Sequence, residues 1–267
     1  EGMPNTAGSL HRVGVLAAHD APVIRRLRDA GAILLGLTNV PEGGLWLETY
    51  NVVYGRTNNP WDVRRTCGGS SGGEGAIVAA GGSPLGVGAD VGGSIRLPAG
   101  FCGVVGHKPT GGLVPTEGHW PTVGDGSDPA LTVGPIVRKV SDVLPVLRVM
   151  AGPDPRLDGE LPSLGGLRVH VVDGSRALGV SGPVKRGVRA AARALELAGA
   201  ALSGERVSFL LRGLDAWVTS LMGAEGETFD SMMSGGGRVP LLREILRAPL
   251  GRAQHIAPVL LVLALER

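Results

Sequence analysis

GGSSGGEGAIVAAGGSPLGVGADVGGSIR, residues 68–96, places a glycine-wrapped serine cluster at each end of an apolar run. Ala76–Ala80 is apolar without polar alternation and predicts a buried helix, and Leu85–Ala89 is a short apolar run that predicts a buried strand. The two glycine loops are therefore expected to meet at one end of a sheet. A serine hydroxyl becomes a nucleophile only beside a base, and the oxyanion it generates needs backbone N–H donors aimed at one point. Consecutive N–H groups converge only in unusual backbone conformations, which glycine adopts without steric cost. Val91, Gly92, Gly93 and Ser94 are thus the candidate oxyanion donors, and Ser94 the candidate nucleophile. One Gly-Gly-Ser in a chain with 45 glycines reads as a tight turn; two such clusters flanking a helix and a strand read as a site.

Other chemistries fit these residues less well. A phosphate-cradling loop would end in Gly-Lys-Ser or Gly-Lys-Thr, which GGSSGGEG lacks. A Ser-His-Asp triad would draw on His107 or His119 and Asp90 or Asp125, but no G-x-S-x-G elbow is present and His107 sits in a turn-like context beside Lys108-Pro109. Asp90 is expected instead to order the Ser94 loop through side-chain to backbone hydrogen bonds.

GGSSGGEGA followed by GADVGGSIRLPA resembles the signature of the amidase signature family, α/β serine hydrolases with a Ser-cisSer-Lys triad and a mixed central sheet flanked by helices. YGRTNNPWD (Tyr54–Asp62), GHKPTGGLVP (Gly106–Pro115) and GPIVRKVSDVLPVLRVMAGP (Gly134–Pro153) extend the resemblance in the same order. Glu74 and the Asn58-Asn59-Pro60 lead-in are most similar to the fatty-acid amide hydrolase branch. The resemblance implies that Ser94 is the acylated nucleophile, that Ser70 bridges to the base from a cis peptide, that Ser71 hydrogen-bonds in support, and that Arg96 holds the loop together. It also implies a small-molecule amide substrate, a lipid amide within that branch, and no cofactor or metal. A homodimer and an intracellular protein with peripheral membrane contact are the associated expectations. A short-chain amidase, the glutaminase subunit of a tRNA amidotransferase and a non-catalytic binding protein are the alternatives.

The base is not in the chain. Family members carry their catalytic lysine well upstream of the bridging serine, and counted back from Ser70 that position falls at or before residue 1. The lysines here are Lys108, Lys139 and Lys185, all after Ser70, and Lys108 resembles a scaffold lysine. The chain therefore reads as a partial amidase-signature domain over 1–267, truncated at both ends, with the core motifs in 1–153 and a peripheral α/β unit and helical tail over 154–267.

Further from the serines, Ala18–Leu37 predicts a helix capped by Asp20, with Val23, Ile24 and Leu27 on one face, and then a buried strand over Ile33–Leu37. Trp46, Tyr50 and Tyr54 read as core aromatics. Gly134–Met150 predicts a strand and a helix capped by Ser141, with Val143, Leu144, Leu147 and Met150 inward. Leu167–Val172 and Pro183–Ala198 predict a further strand and an amphipathic helix on the same sheet, with Val184, Val188, Ala191 and Leu195 inward. The tail from Phe209 carries Trp217, Met222, Phe229, Met232 and Met233, a soft wall of the kind that lines an acyl channel in the resembling lipid-amide enzymes. The apolar run in Leu241–Leu265 is too interrupted by charge to span a membrane. A hydrophobic content of 43% supports a packed core, and a net charge of +2 without any basic run gives a nucleic-acid partner little support, so none is expected. Cys67 and Cys102 form no metal-spaced cluster and fit a reducing compartment.

Overall fold

The computed structural model describes residues 1–122, 130–159, 163–174, 179–203, 213–222 and 227–266. It forms two compact units, Glu1–Leu157 with Trp217–Arg267, and Asp158–Ala216. In the first, helix α1 (Pro22–Asp29) starts with proline in its first turn, where a missing N–H costs nothing, and buries Val23 and Leu27. Two short antiparallel ladders follow, β1 (Tyr50–Asn51) with β2 (Gly55–Arg56) and β3 (Asn58–Asn59) with β4 (Asp62–Thr66). Helix α2 (Gly72–Ala79) begins directly after Ser71 and leads into β5 (Leu85–Asp90). Helix α3 (Arg96–Cys102) then ends on Gly103 at φ 71°, a left-handed conformation suited to glycine.

Strand β6 (Val105–Gly106) and the fully buried β7 (Thr132–Val137) complete a three-stranded antiparallel sheet in the order β5-β7-β6. Pairing runs from Leu85 opposite Val137 to Asp90 opposite Thr132. Helix α4 (Val143–Ala151) packs Leu147 and Met150 against Val23, Leu27 and Val133. The Arg26 guanidinium donates to the Met150 and Ala151 carbonyls at 2.8 and 2.6 Å, satisfying groups that a helix end leaves open. A second cluster joins Met232 and Met233 of α7 (Phe229–Ser234) to Val259, Leu260 and Leu263 of α9 (Ala257–Glu266). Helix α8 (Leu241–Arg247) lies between these two in the chain.

In the second unit, β8 (Arg168–His170) and β9 (Ala201–Ser203) pair in parallel beside α5 (Gly182–Leu197). Helix α6 (Gly213–Met222) spans the boundary between the units in sequence. No helix among the described residues is long and apolar enough to cross a membrane.

Several sequence expectations are corrected. Ile33–Leu37 forms no strand: no neighbour pairs with its backbone, and Ile33 is 84% exposed. Asp20 does not cap α1, because its carboxylate is engaged by the Glu1 amino group and Arg28. Ser141 does not cap α4, since a 3-10 turn over Val140–Asp142 comes between. Trp46 and Tyr54 are exposed rather than core; only Tyr50 packs on the methionine cluster. Val184 and Ala191 face outward, because the buried position of α5 is Ala192, which leaves Val188 and Leu195 half-buried at its edges. Strand β8 pairs with β9 in its own sheet, not with β5–β7. Asp125 and Phe209 lie outside the described residues.

Candidate active site

The two serine loops meet at the Asp90 end of β5, where the Ser71 N–H donates to the Ser94 carbonyl at 3.0 Å. The Gly69–Ser70 peptide is cis, at the position the resemblance implies. Ser70 and Ser94 are both half-buried, while Ser71 is buried. Ser71 Oγ donates to the Ala89 carbonyl at 3.3 Å and accepts from the Ala89 N–H at 3.2 Å, tying the first loop to β5 by its side chain. Thr49 braces the same loop, with its hydroxyl donating to the Gly68 carbonyl at 2.9 Å.

Asp90 organises the second loop. Its carboxylate is fully buried and accepts from the N–H groups of Gly93 at 2.7 Å and Ile95 at 3.0 Å. It also accepts two bonds from the Arg96 guanidinium, at 3.0 and 2.9 Å. Burial by itself would raise this carboxyl; the Arg96 bonds and the two N–H donors outweigh burial and hold it below the usual carboxylate range. Of the four candidate oxyanion donors, Val91, Gly92, Gly93 and Ser94, the Gly93 N–H is the one directed at Asp90 in this structure. Arg96 thus reaches the Ser94 loop through the Asp90 carboxylate.

Glu74 lies in the first turn of α2, accepting from the Thr38 hydroxyl at 2.7 Å. Burial pushes it above the usual carboxylate range, against the opposing bonds from Thr38 and the Val87 backbone. No histidine ring among the described residues is hydrogen-bonded to Ser70 or Ser94. The His119 ring instead donates from Nδ1 to the Pro121 carbonyl, and burial lowers both His119 and His107. Cys67 and Cys102 are free and buried. Burial raises both thiols, Cys102 to about 11, so they pack as neutral groups. No cluster of three metal-ligating side chains occurs among the described residues.

Sequence reasoning missed Thr49, whose only sign was a hydroxyl before a glycine-rich stretch. It also missed how Trp217 is used. The Trp217 indole donates to the Val91 carbonyl at 3.1 Å, and a Cβ at Gly92 would come within 2.8 Å of its ring. Nothing in the spacing of the tail indicates that it returns to the Ser94 loop.

The cis-peptide Ser70 loop thus stands beside a carboxylate-organised Ser94 loop on an α/β scaffold, and the chain belongs to the amidase family, whose sequence profile matches residues 1–241. Fatty-acid amide hydrolase 2-B of Danio rerio is 37% identical over 267 residues, covering 96% of this chain and 51% of that protein. A glutamyl-tRNA(Gln) amidotransferase chain of Methanosarcina acetivorans is 42% identical over 182 residues, covering 68% of this chain and 37% of that protein. A solved structure of 6-aminohexanoate cyclic dimer hydrolase complexed with substrate superposes with a TM-score of 0.71 at 30% identity, over 100% of this chain and 60% of that one. The chain therefore spans about half the length of the Danio relative.

Proposed function

We propose that the protein carrying this chain hydrolyses carboxylic amides, with fatty-acid amides as its substrates, through an acyl-enzyme on Ser94. The observation that carries this is the Ser71 N–H to Ser94 carbonyl bond, which locks the cis Ser70 loop onto the nucleophile loop within a chain of the amidase family. Ser94 Oγ attacks the amide carbonyl carbon as its proton passes to Ser70 Oγ, and Ser70 passes its own proton to the base. That base is a lysine outside this sequence, as the resemblance implies. The oxyanion is held by the N–H groups of Val91, Gly92 and Ser94. Collapse of the tetrahedral intermediate breaks the C–N bond, the leaving amine takes the proton back through Ser70, and water hydrolyses the Ser94 ester by the reverse relay. Oleamide represents the expected substrate class because the Danio relative that aligns with 96% of this chain is a fatty-acid amide hydrolase.

Turnover of oleamide, propionamide and glutamine by the full-length protein tests the proposal. Oleamide is expected to have the highest kcat/KM; equal efficiency for propionamide removes the lipid assignment, and preference for glutamine replaces it with a glutaminase. Ser94→Ala should abolish both turnover and fluorophosphonate labelling. The 267-residue chain alone should hydrolyse oleamide negligibly, since an absent base costs about 10²- to 10⁴-fold.

A further inference from the structure

Glu42 has 0% exposure, and both of its carboxylate oxygens are committed to one distant segment. Oε1 lies 2.7 Å from His255 Nδ1, and Oε2 accepts from the Ile256 N–H at 2.9 Å, just before α9. A buried carboxylate is costly unless fully hydrogen-bonded, so a pair satisfied in this way pins its two segments together. Glu42 opens a 3-10 turn, Glu42–Gly44, whose Gly43 adopts φ 61° and donates from its N–H to the Ala7 carbonyl at 2.8 Å. A Cβ at Gly43 would meet Met233 Cε at 2.7 Å, so the turn is seated directly on the methionine cluster. The next residue reaches the bridging serine: a Cβ at Gly44 would lie 3.7 Å from Ser70 Oγ. The chain then runs under the cis peptide, with the Trp46 carbonyl and the Glu48 nitrogen each 2.8 Å from where a Gly69 Cβ would stand.

We propose that Glu42 and His255 form a positioning pair for the Ser70 hydroxyl, fixing the Glu42–Gly44 turn against it from the α9 side. This rests on Ser70 acting as the bridging serine. A proton relay tolerates little displacement, so loosening the turn lowers the rate of Ser94 acylation without altering substrate affinity. The pair touches no reacting atom.

The experiment uses full-length protein with His255→Ala, His255→Asn and Glu42→Gln. Rates of oleamide turnover and of fluorophosphonate labelling of Ser94 are read at a temperature where each variant is folded by thermal melt. His255→Ala is expected to lower kcat and the labelling rate about tenfold with KM unchanged. His255→Asn, whose amide can replace the Nδ1 donor, is expected to recover most of the loss. His255→Ala with a lowered melting temperature but wild-type kcat and labelling overturns the proposal and leaves a structural brace. Loss of activity in His255→Asn equal to that in His255→Ala also overturns it. Glu42→Gln, isosteric and uncharged, supports the proposal if it lowers kcat without changing KM, and counts against it if kcat is unchanged. Failure of the wild-type protein to hydrolyse amides or label at Ser94 defeats the hydrolase assignment itself, whereas an active wild type with unaffected variants defeats the positioning pair alone.

Discussion

Asp90 and Glu74 are carboxyls that their surroundings shift in opposite directions. For Asp90, burial acts to raise the carboxyl, but Arg96 and the Ile95 and Gly93 N–H groups prevail and hold it low. A carboxyl held below its unfolded value contributes stability above the usual range and loses it as pH falls through the folded value. Wild-type stability should therefore fall below about pH 4, and Asp90→Asn should flatten that limb while costing about 2 kcal/mol at neutral pH, as followed by denaturant midpoints across pH. Glu74 is raised by burial, so its favourable contribution is complete at low pH and is lost as pH rises through the folded value. Glu74→Gln keeps an acceptor for Thr38 and removes the ionisation, so it should melt higher than wild type at neutral pH, with the difference closing below about pH 4. A Glu74→Gln protein less stable than wild type at pH 7 would show that the charge is stabilising.

Helix α2 and strand β5 were legible because their residues are short-range signals: an apolar run without alternation, bounded by glycines, has few other solutions. Asp90 could likewise be assigned to the loop, since an aspartate before Gly-Gly-Ser finds N–H donors within a few residues. Ile33–Leu37 failed because a strand is a property of two segments, and an apolar run says nothing about whether a partner pairs with it. The Glu42–His255 and Trp217–Val91 contacts were illegible for the same reason, being made between residues far apart in the chain. One outcome follows for these elements. Gly72→Ala should destabilise the start of α2 by about 1–3 kcal/mol in urea denaturation, because the new methyl meets Thr49 Oγ1 and stands 2.8 Å from Cys67 Sγ.

Among the described residues three apolar clusters support the first unit, one between α1, α4 and β7, one among the methionines and α9, and one of Val78, Ile95 and Ile136. Met150 is fully buried in the first, and Met150→Ala should cost about 2–5 kcal/mol in chemical denaturation. The order of strands carries a consequence for biosynthesis. The central strand of β5-β7-β6 is the last of the three to leave the ribosome, so among the described residues neither β5 nor β6 has its partner until Thr132–Val137 has emerged. Until then both serine loops hang from an unpaired edge, exposed to proteases and to association with other nascent chains. Arrested nascent chains that present residues up to Leu131 should be cut rapidly between the two serines, and those that also present Val137 should resist.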